Sequence, residues 1–444
     1  MNRFFSFLKT RFAYSDANEI TPLAADSEKN AVKSAVPAAF SYIITALSSA
    51  AVFISYYIYS KEFCAKRLSD LGSHITFAEN FEFTNAEGFL RSWARVPHLG
   101  WHMLVRFFMA LRMPSEEAAA LVYSLLGVFS FIAGAYLTNR LIRHYTGRDE
   151  LALSSLISGI LSFVGPYAMP WFTPMGIYHG QYSPNPFHNP THMAVKGLGI
   201  ILTMIGVDIF RRMKNEKPVF FKSERNLFVL FAVVLFISVI FKPTFMYMIL
   251  PAGFVFMISE LIINFKNKSY PMKNIFKVLI GIIIAVIPSL ILIIIESAVA
   301  AKYGTEYSTV IFSFSKPFEV WHLYTLSVPN SVLLAMFFPI VMCIINPGYF
   351  LKSTEGRLSV CAYATGLIEF SFLKDAGYQM IAANFAWCMM SGMVVLYAFT
   401  AGKLLIDTLK EDKSKSHMIY IISCWFLLFL HAYSGITFML ERPM

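Results

Sequence analysis

Asp70 and His74, spaced four residues apart, are the first residues in this sequence whose types and spacing could do chemistry. On a helix, residues at i and i+4 share one face. A carboxylate there can take a proton from a hydroxyl group, and an imidazole can orient that carboxylate or share a divalent ion with it. Ser69 could cap such a helix. The alternative is a solvated loop helix with an incidental Asp–His pair, and the spacing alone leaves both open.

A second polar segment, residues 183–192, combines three prolines with amide and imidazole side chains. The prolines restrict the backbone, while Asn185, Asn189, His188 and His192 offer hydrogen-bond donors and acceptors. A rigid loop of this kind could hold a hydroxyl-rich substrate. A stiff connector between two helices is the alternative interpretation.

Ionisable residues lie near the ends of long apolar stretches rather than in their middle. Lys242 precedes Pro243, which ends a helix because proline lacks a backbone N–H, and its ammonium group could pair with a lipid phosphate. The other such residues are Lys196, Glu296, Glu369 and His431. This pattern favours an enzyme that works near one headgroup layer over an ion pathway. For Lys196 and Lys242, the alternative is that the side chains snorkel to the interface.

The elements that must position these residues are membrane-spanning helices. The chain has 444 residues, of which 57% are hydrophobic and 14% charged, whereas a soluble domain usually carries about 25% charged residues. At roughly 20 residues per span, the apolar stretches predict an all-α polytopic membrane protein with about 11 transmembrane helices. The predicted spans are 37–59, 118–138, 151–170, 192–210, 227–241, 244–264, 278–298, 331–347, 358–373, 384–404 and 418–438.

The distribution of basic residues predicts the orientation. The net charge of +10 is typical of cytoplasmic loops and does not require a nucleic-acid partner. If residues 100–112 crossed the membrane, every later basic loop would face outward, so we expect an interfacial amphipathic helix there. The N-terminus is then inside and the C-terminus outside, with a cytoplasmic polar tail (1–36) and a single membrane domain (37–444). The predicted outer loops are 60–117, 171–191, 299–330 and 374–383.

The outer loop 299–330 is rich in aromatic residues, among them Tyr303, Tyr307, Trp321 and Tyr324. They could stack against a sugar or belong to the aromatic belt at the membrane interface, and the belt is favoured. No Walker-type loop, GxGxxG after a strand, HExxH or GxSxG is present, so nucleotide-driven transport, dinucleotide chemistry, zincin proteolysis and serine hydrolysis have no support. The five cysteines have no CxxC spacing, which disfavours a zinc or redox site.

Five strings, in order along the chain, resemble those of a group of bacterial multispan membrane proteins. They are Ser69-Asp70…His74-Ile75, Ser183-Pro184-Asn185…His188-Asn189-Pro190-Thr191, Lys242-Pro243-Thr244, Asp375-Ala376-Gly377-Tyr378-Gln379…Asn384-Phe385-Ala386-Trp387 and Leu430-His431-Ala432-Tyr433-Ser434-Gly435. Two positions depart from the group's pattern, since Asp375 stands in place of Glu and Gln379 in place of Arg. More broadly, the many spans and a first outer loop with an acidic residue and short amphipathic helices resemble the GT-C class of membrane glycosyltransferases.

The resemblance implies a glycosyltransferase of the bacterial cytoplasmic (inner) membrane that acts on its outer face in cell-surface polysaccharide assembly. The donor would be a polyprenyl-phosphate-linked sugar, and the acceptor a glycan or a lipid. Asp70 would be the general base, and His74 would orient it or share a divalent metal with it; no other cofactor is implied. Lys242, with Lys196 or His188, would stabilise the leaving phosphate. The remaining expected substrate- or phosphate-binding residues are Asn185, Asn189, Asp375, Gln379, Asn384 and His431.

Two other functions fit the same features. A transporter or flippase of lipid-linked glycan would explain the apolar bulk, but it needs polar residues that continue to the cytoplasmic side, and the sequence shows no such series and no matched pair of broken helices. A glycan polymerase or ligase would share the chemistry and use a donor that can carry a pyrophosphate, with Arg91, Arg95 and Arg442 as candidate ligands.

Overall fold

The computed structural model describes residues 37–96, 98–167, 181–221, 226–304, 309–411 and 414–441. The predicted cytoplasmic tail, residues 1–36, lies outside this range, as do residues 171–180 of a predicted outer loop and Arg442. Of the described residues, 79% are helical.

Sixteen α-helices and one two-stranded sheet make up the described part of the chain. The helices are α1 (Ala38–Ala65), α2 (Ser69–Glu79), α3 (Ala86–Arg95), α4 (Leu99–Ala110), α5 (Ser115–Thr146), α6 (Leu151–Leu161), α7 (Pro190–Met213), α8 (Leu227–Phe241), α9 (Thr244–Asn267), α10 (Met272–Tyr303), α11 (Glu319–His322), α12 (Val328–Ile345), α13 (Pro347–Lys352), α14 (Thr354–Phe372), α15 (Ala386–Thr408) and α16 (Lys415–Glu441). A 3₁₀ helix covers Gly377–Ala382. The strands β1 (Val310–Phe312) and β2 (Leu373–Asp375) pair antiparallel.

Within the described residues, eight helices are long and apolar enough to cross a membrane: α1, α5, α7, α9, α10, α12, α15 and α16. This agrees with the predicted all-α polytopic membrane protein. The other three predicted spans also contain helices, but α6 and α8 have only 11 and 15 residues. The third, α14, carries Glu355, Arg357 and Glu369. The count of about 11 spans is therefore not confirmed.

The predicted span 151–170 is helical only as far as Leu161. The chain then continues as irregular backbone, and the N–H of Gly165 donates to the carbonyl oxygen of His431 on α16, at 2.9 Å. The two backbones approach so closely that a Cβ on Gly165 would lie 2.9 Å from the Cα of Gly435. Irregular backbone at membrane depth is tolerated where protein surrounds it and satisfies its polar groups.

Two helices, α7 and α15, form the centre of the bundle, and they pack against α5 and α14. The apolar stretch of α15 is buried along its whole length, and that of α7 nearly so. Burial does not follow apolarity here, because α10 is the most apolar of these helices and only 22% of its apolar stretch is buried. Since each helical residue adds about 1.5 Å, the two ends of α7 lie about 35 Å apart. A group of polar side chains lies at each end.

The helices α2, α3 and α4 lie between α1 and α5, where the sequence predicts amphipathic helices. With 12 residues, α4 is too short to cross a hydrocarbon core of about 30 Å. One of its faces buries Trp101 and Val105, while Phe107 on another is exposed. This packing places α4 against α2.

Candidate functional site

Asp70 and His74 lie on α2, which follows a tight turn after α1. Arg67 and Ser69 both have a left-handed backbone, each with φ of 53°. The turn is so close that a Cβ on Gly72 would lie 2.2 Å from the carbonyl carbon of Arg67. Ser69 does not cap α2 as predicted, because it is itself the first helical residue and its side chain makes no capping bond.

The side-chain amide of Asn189 lies between the carboxylate of Asp70 and the ammonium of Lys242. Asn189 Nδ2 donates to Asp70 Oδ2 at 3.0 Å, and Lys242 Nζ donates to Asn189 Oδ1 at 3.1 Å and to Thr191 Oγ1 at 3.3 Å. The amide orientation is fixed because Oδ1 also caps α7 by accepting from the backbone N–H of His192, at 2.9 Å. We call Asp70, Asn189, Thr191 and Lys242 the Asp70 group.

Lys242 lies in the extended break between α8 and α9, where the proline predicts the helix to end. It is only 6% exposed, yet its described hydrogen-bond partners are the neutral Asn189 and Thr191. Its Nζ also lies 4.1 Å from the ring centre of Trp387, in a cation–π contact. Buried charges are normally paired, and the carboxylate that interacts with Lys242 through space is Asp70, on the other side of the Asn189 amide.

Two histidines complete this end of α7. His188 Nε2 lies 3.9 Å from Asp70 Oδ2. His192 is fully buried against Phe245 and Trp387, and neither of its ring nitrogens has a hydrogen-bond partner within the described residues. Because an unsatisfied buried polar group is costly, such a group indicates a water or a ligand. Sequence reasoning named His192 among the polar residues of segment 183–192 but gave it no role in the reaction.

His74 pairs with His102 of α4. Its Nδ1 lies 2.9 Å from His102 Nε2, and His102 Nδ1 lies 3.0 Å from the carbonyl oxygen of His98. Burial lowers the pKa of His98 to about 3 and that of His102 to about 4, so both rings are neutral at neutral pH. No described contact joins His74 to Asp70, and sequence reasoning missed His98 and His102.

The described residues contain no group of three or more His, Cys, Asp or Glu side chains that could hold a metal ion. Asp70 engages Asn189, and His74 engages His102. Asp70 and His74 alone would give a divalent ion only two protein ligands, so the shared metal stays a prediction.

Lys196, about two helical turns after Asn189 on α7, contacts Asn185, which precedes the helix. Lys196 Nζ donates to Asn185 Oδ1, and Asn185 Nδ2 donates to the carbonyl oxygens of Leu161 and Val164, at 2.9 and 2.8 Å. This pair ties the irregular chain after α6 to α7. Lys196 also lines a cavity of about 20 Å³, which is room for about one water molecule.

Asp375 and Asn384 also contact each other, because Asn384 Nδ2 donates to Asp375 Oδ2 at 3.0 Å. Asp375 ends β2, and Asn384 lies three positions before Trp387, whose ring contacts Lys242. The side chain of Gln379 lies outside the described part of the chain.

His431 makes hydrogen bonds where α16 crosses the irregular chain after α6. Its Nδ1 donates to the carbonyl oxygen of Gly165 at 2.8 Å, and its Nε2 accepts from the backbone N–H of Phe338 at 3.3 Å. Its ring stacks on Tyr167 with 3.9 Å between ring centres. None of these described contacts reaches the Asp70 group, and a substrate-binding role for His431 stays a prediction.

Trp321 is fully buried, and its ring packs 4.8 Å from that of Phe370. Burial prevents it from stacking against a sugar and from lying in an interfacial belt, so neither prediction holds for this residue. Tyr307 lies outside the described residues.

A larger set of charged residues, which sequence reasoning missed, lies at the opposite end of α7. Arg211 Nη1 pairs with Glu355 Oε2 at 2.9 Å, with the two side chains 5% and 0% exposed. Tyr145 donates to Glu355, and Arg357 donates to Glu260. We call these five residues the Glu355 network. Glu355 and Arg357 belong to the predicted loop 348–357, and Glu260 lies near the end of the predicted span 244–264, so apolarity did not single them out.

No protein-family model and no curated protein matches this chain. The site geometry therefore carries the functional argument: a half-exposed carboxylate and a buried ammonium on either side of one amide.

Proposed function

We propose that this protein is a membrane glycosyltransferase that moves a sugar from a polyprenyl-phosphate carrier to a hydroxyl acceptor, a glycan or a lipid. The reaction would take place at the outer face of the bacterial cytoplasmic membrane, in cell-surface glycan assembly. The observation that supports the proposal is the Asp70 group, in which one amide separates a carboxylate from a buried ammonium that has no acidic hydrogen-bond partner among the described residues.

Asp70 is the proton acceptor in this reaction. Its side chain is 48% exposed, so a substrate hydroxyl can reach it. As the acceptor oxygen bonds to the anomeric carbon of the donor sugar, the bond from that carbon to the phosphate oxygen breaks and the hydroxyl proton passes to Asp70. A positioned base of this kind contributes about 10²–10⁴-fold to the rate.

Lys242 receives the leaving phosphate. Its present partners are neutral, so a phosphate oxygen can take the place of Thr191 or Asn189 without leaving a carboxylate unpaired. A fixed cation in a site that excludes water stabilises developing negative charge far better than one in water. His192, beside the same Trp387 ring, would gain a hydrogen-bond partner from the bound group.

The basic residues at one end of the bundle support the proposed orientation. Basic residues such as Arg140, Arg212 and Lys214 lie at the end that carries the Glu355 network. The positive-inside rule places that end in the cytoplasm. The Asp70 group then lies at the outer side, where polyprenyl-linked sugars are used for surface glycans.

The first test is lipid binding, measured by native mass spectrometry on protein extracted in a mild detergent and supplied with polyprenyl phosphate. The unmodified chain should bind it, and Lys242→Met should not. Lys61→Met is the matched control, because Lys61 is a half-exposed lysine that pairs with Glu117 outside the Asp70 group. Equal binding by all three proteins, or binding of bulk phospholipid alone, would refute the phosphate role.

The second test separates the enzyme from a flippase or a polymerase. Protein in liposomes is given a polyprenyl-phosphate sugar and candidate acceptors. Release of free polyprenyl phosphate with a glycosylated acceptor supports the transferase. Movement of intact lipid-linked sugar across the bilayer supports a flippase, and a product that grows only in chain length supports a polymerase.

A further inference from the structure

The hydrogen bonds around His102 determine where two imidazole rings carry their protons. A carbonyl oxygen can only accept, so His102 Nδ1, 3.0 Å from the carbonyl oxygen of His98, carries a proton. A neutral imidazole has one N–H, so His102 Nε2 is bare and accepts from His74 Nδ1, 2.9 Å away. His74 therefore has its proton on Nδ1 and a free lone pair on Nε2.

Both rings are neutral at neutral pH, which this assignment requires. Burial lowers the pKa of His102 to about 4. Burial also holds the pKa of His74 well below its usual value, and His102, Lys242 and His98 lower it further. Asp70, one turn earlier on α2, is the nearest acidic residue on the same helix.

Nothing within the described residues makes a hydrogen bond to His74 Nε2, and the side chain is partly exposed. Asp70 is one helical turn away, and side chains in that relation have Cβ atoms about 5–6 Å apart. A ligand lying across this face of α2 can therefore meet a carboxylate and a fixed hydrogen-bond acceptor together. Two acceptors side by side select a ligand with two neighbouring donors.

We propose that His74 is a specificity-determining residue that accepts a hydrogen bond from a second hydroxyl of the acceptor substrate, next to the hydroxyl that gives its proton to Asp70. The acceptor is then a sugar or another vicinal diol and not a simple alcohol. His102 is a positioning residue, because it keeps His74 in the tautomer that can accept. The inference rests on the proposed function for the role of Asp70, but the tautomer and the binding of a diol can be measured without transfer.

The tautomer is read by solid-state NMR on the full chain in liposomes, with ¹⁵N-labelled histidine. The chain has ten histidines, and the signals that vanish in His74→Gln identify His74. His322→Gln is the control, because this exposed histidine belongs to α11, outside the described contacts of the Asp70 group. We expect a protonated Nδ1 and an unprotonated Nε2 between pH 6 and 8. A protonated Nε2 in the unmodified chain would overturn the assignment.

Two variants of His102 test its positioning role. His102→Gln offers an amide oxygen that can accept from His74 Nδ1 and should keep the single tautomer. His102→Leu offers no acceptor and should give a mixture of tautomers. The same single tautomer in the Leu variant would show that His102 does not position His74.

Diol binding is tested with methyl glucoside and its fully O-methylated analogue as probes. The glucoside should shift the His74 Nε2 signal, and the methylated analogue, which cannot donate, should not. In transfer assays, an acceptor without the neighbouring hydroxyl should bind about 3- to 10-fold more weakly, as expected for one neutral hydrogen bond, and His74→Phe should abolish this difference. Equal shifts from both probes, or none, would refute the diol site. Failure of phosphate binding at Lys242 with a normal glucoside shift would instead refute the transferase.

Discussion

The two ends of α7 treat buried charge in opposite ways. In the Glu355 network every charged side chain has an oppositely charged partner, such as Arg211 with Glu355 and Arg357 with Glu260. In the Asp70 group the buried Lys242 has only neutral hydrogen-bond partners, and His192 beside it has none within the described residues. Both groups contain an acid and a base, so the presence of charge does not distinguish them. They differ in whether the acid and the base contact each other directly.

This difference separates a structural role from a binding role. Removing one partner of a buried pair leaves the other charge uncompensated and costs about 3–5 kcal/mol. The Glu355 network is therefore coupled to folding. A buried ammonium whose hydrogen-bond partners are all neutral does not stabilise the fold, and it is available to a ligand, which is typical of functional sites. Substitutions at the two ends should accordingly separate activity from stability.

The largest expected effect is on activity, in Asp70→Asn. Without a proton acceptor, sugar transfer should fall by about 10²–10⁴-fold, whereas the thermal unfolding midpoint should stay the same because the half-exposed side chain keeps a similar shape. Radiolabelled sugar transfer and a melting curve measure the two. Asp149→Asn, which changes a carboxyl 56% exposed at the other end of α5, is the control. Full activity in a correctly inserted Asp70→Asn protein would remove Asp70 from the mechanism.

The next largest effect is on stability, in Glu355→Ala. Arg211 would lose its closer acidic partner and keep only Glu216, whose Oε2 lies 3.5 Å from Arg211 Nη1. The free energy of unfolding should therefore fall by up to about 3–5 kcal/mol, as measured by denaturation in mixed micelles. Glu411→Ala is the control, since that side chain is 93% exposed and should leave stability unchanged. A stable Glu355→Ala protein would show that the two ends of α7 do not differ as argued.

The positions of most helices could be predicted from the sequence, because apolar length and proline act locally. The break between α8 and α9 lies where Pro243 predicts it. The irregular chain after Leu161 could not be predicted, because it depends on the approach of the distant residues Gly165 and Gly435. Apolarity alone cannot distinguish a membrane-spanning helix from irregular backbone whose hydrogen bonds are made by a neighbouring helix.

The residues of the site could be predicted from the sequence, but which of them contact each other mostly could not. The motifs contained Asp70, Asn189 and Lys242, but the contact of Asn189 with Asp70 joins positions 119 residues apart. Spacing within one helix suggested that His74 would orient Asp70. The structure pairs His74 with His102 because α4 packs against α2, a tertiary contact that no local pattern contains.

Acid should weaken the fold near the Asp70 group through His102. Burial lowers the pKa of this residue to about 4, whereas an unfolded chain has a histidine pKa of about 6.5. Between these values the unfolded state binds a proton that the folded state does not, so the free energy of unfolding is highest above pH 6.5 and falls as the pH drops towards 4. Melting curves at several pH values should show a smaller fall in His102→Gln. Parallel curves would contradict a buried neutral His102.

The smallest expected effect is on stability, in Lys242→Met, and it tests the comparison most directly. Methionine removes a buried charge that has no acidic hydrogen-bond partner and preserves most of the apolar contact with Trp387. The free energy of unfolding should therefore be unchanged or higher by about 1 kcal/mol, while phosphate binding is lost. The denaturation measurement used for Glu355→Ala also gives the free energy of unfolding of Lys242→Met. A loss as large as that of Glu355→Ala would mean that Lys242 is paired in the folded protein, and that the Asp70 group is a second structural network instead of a binding site.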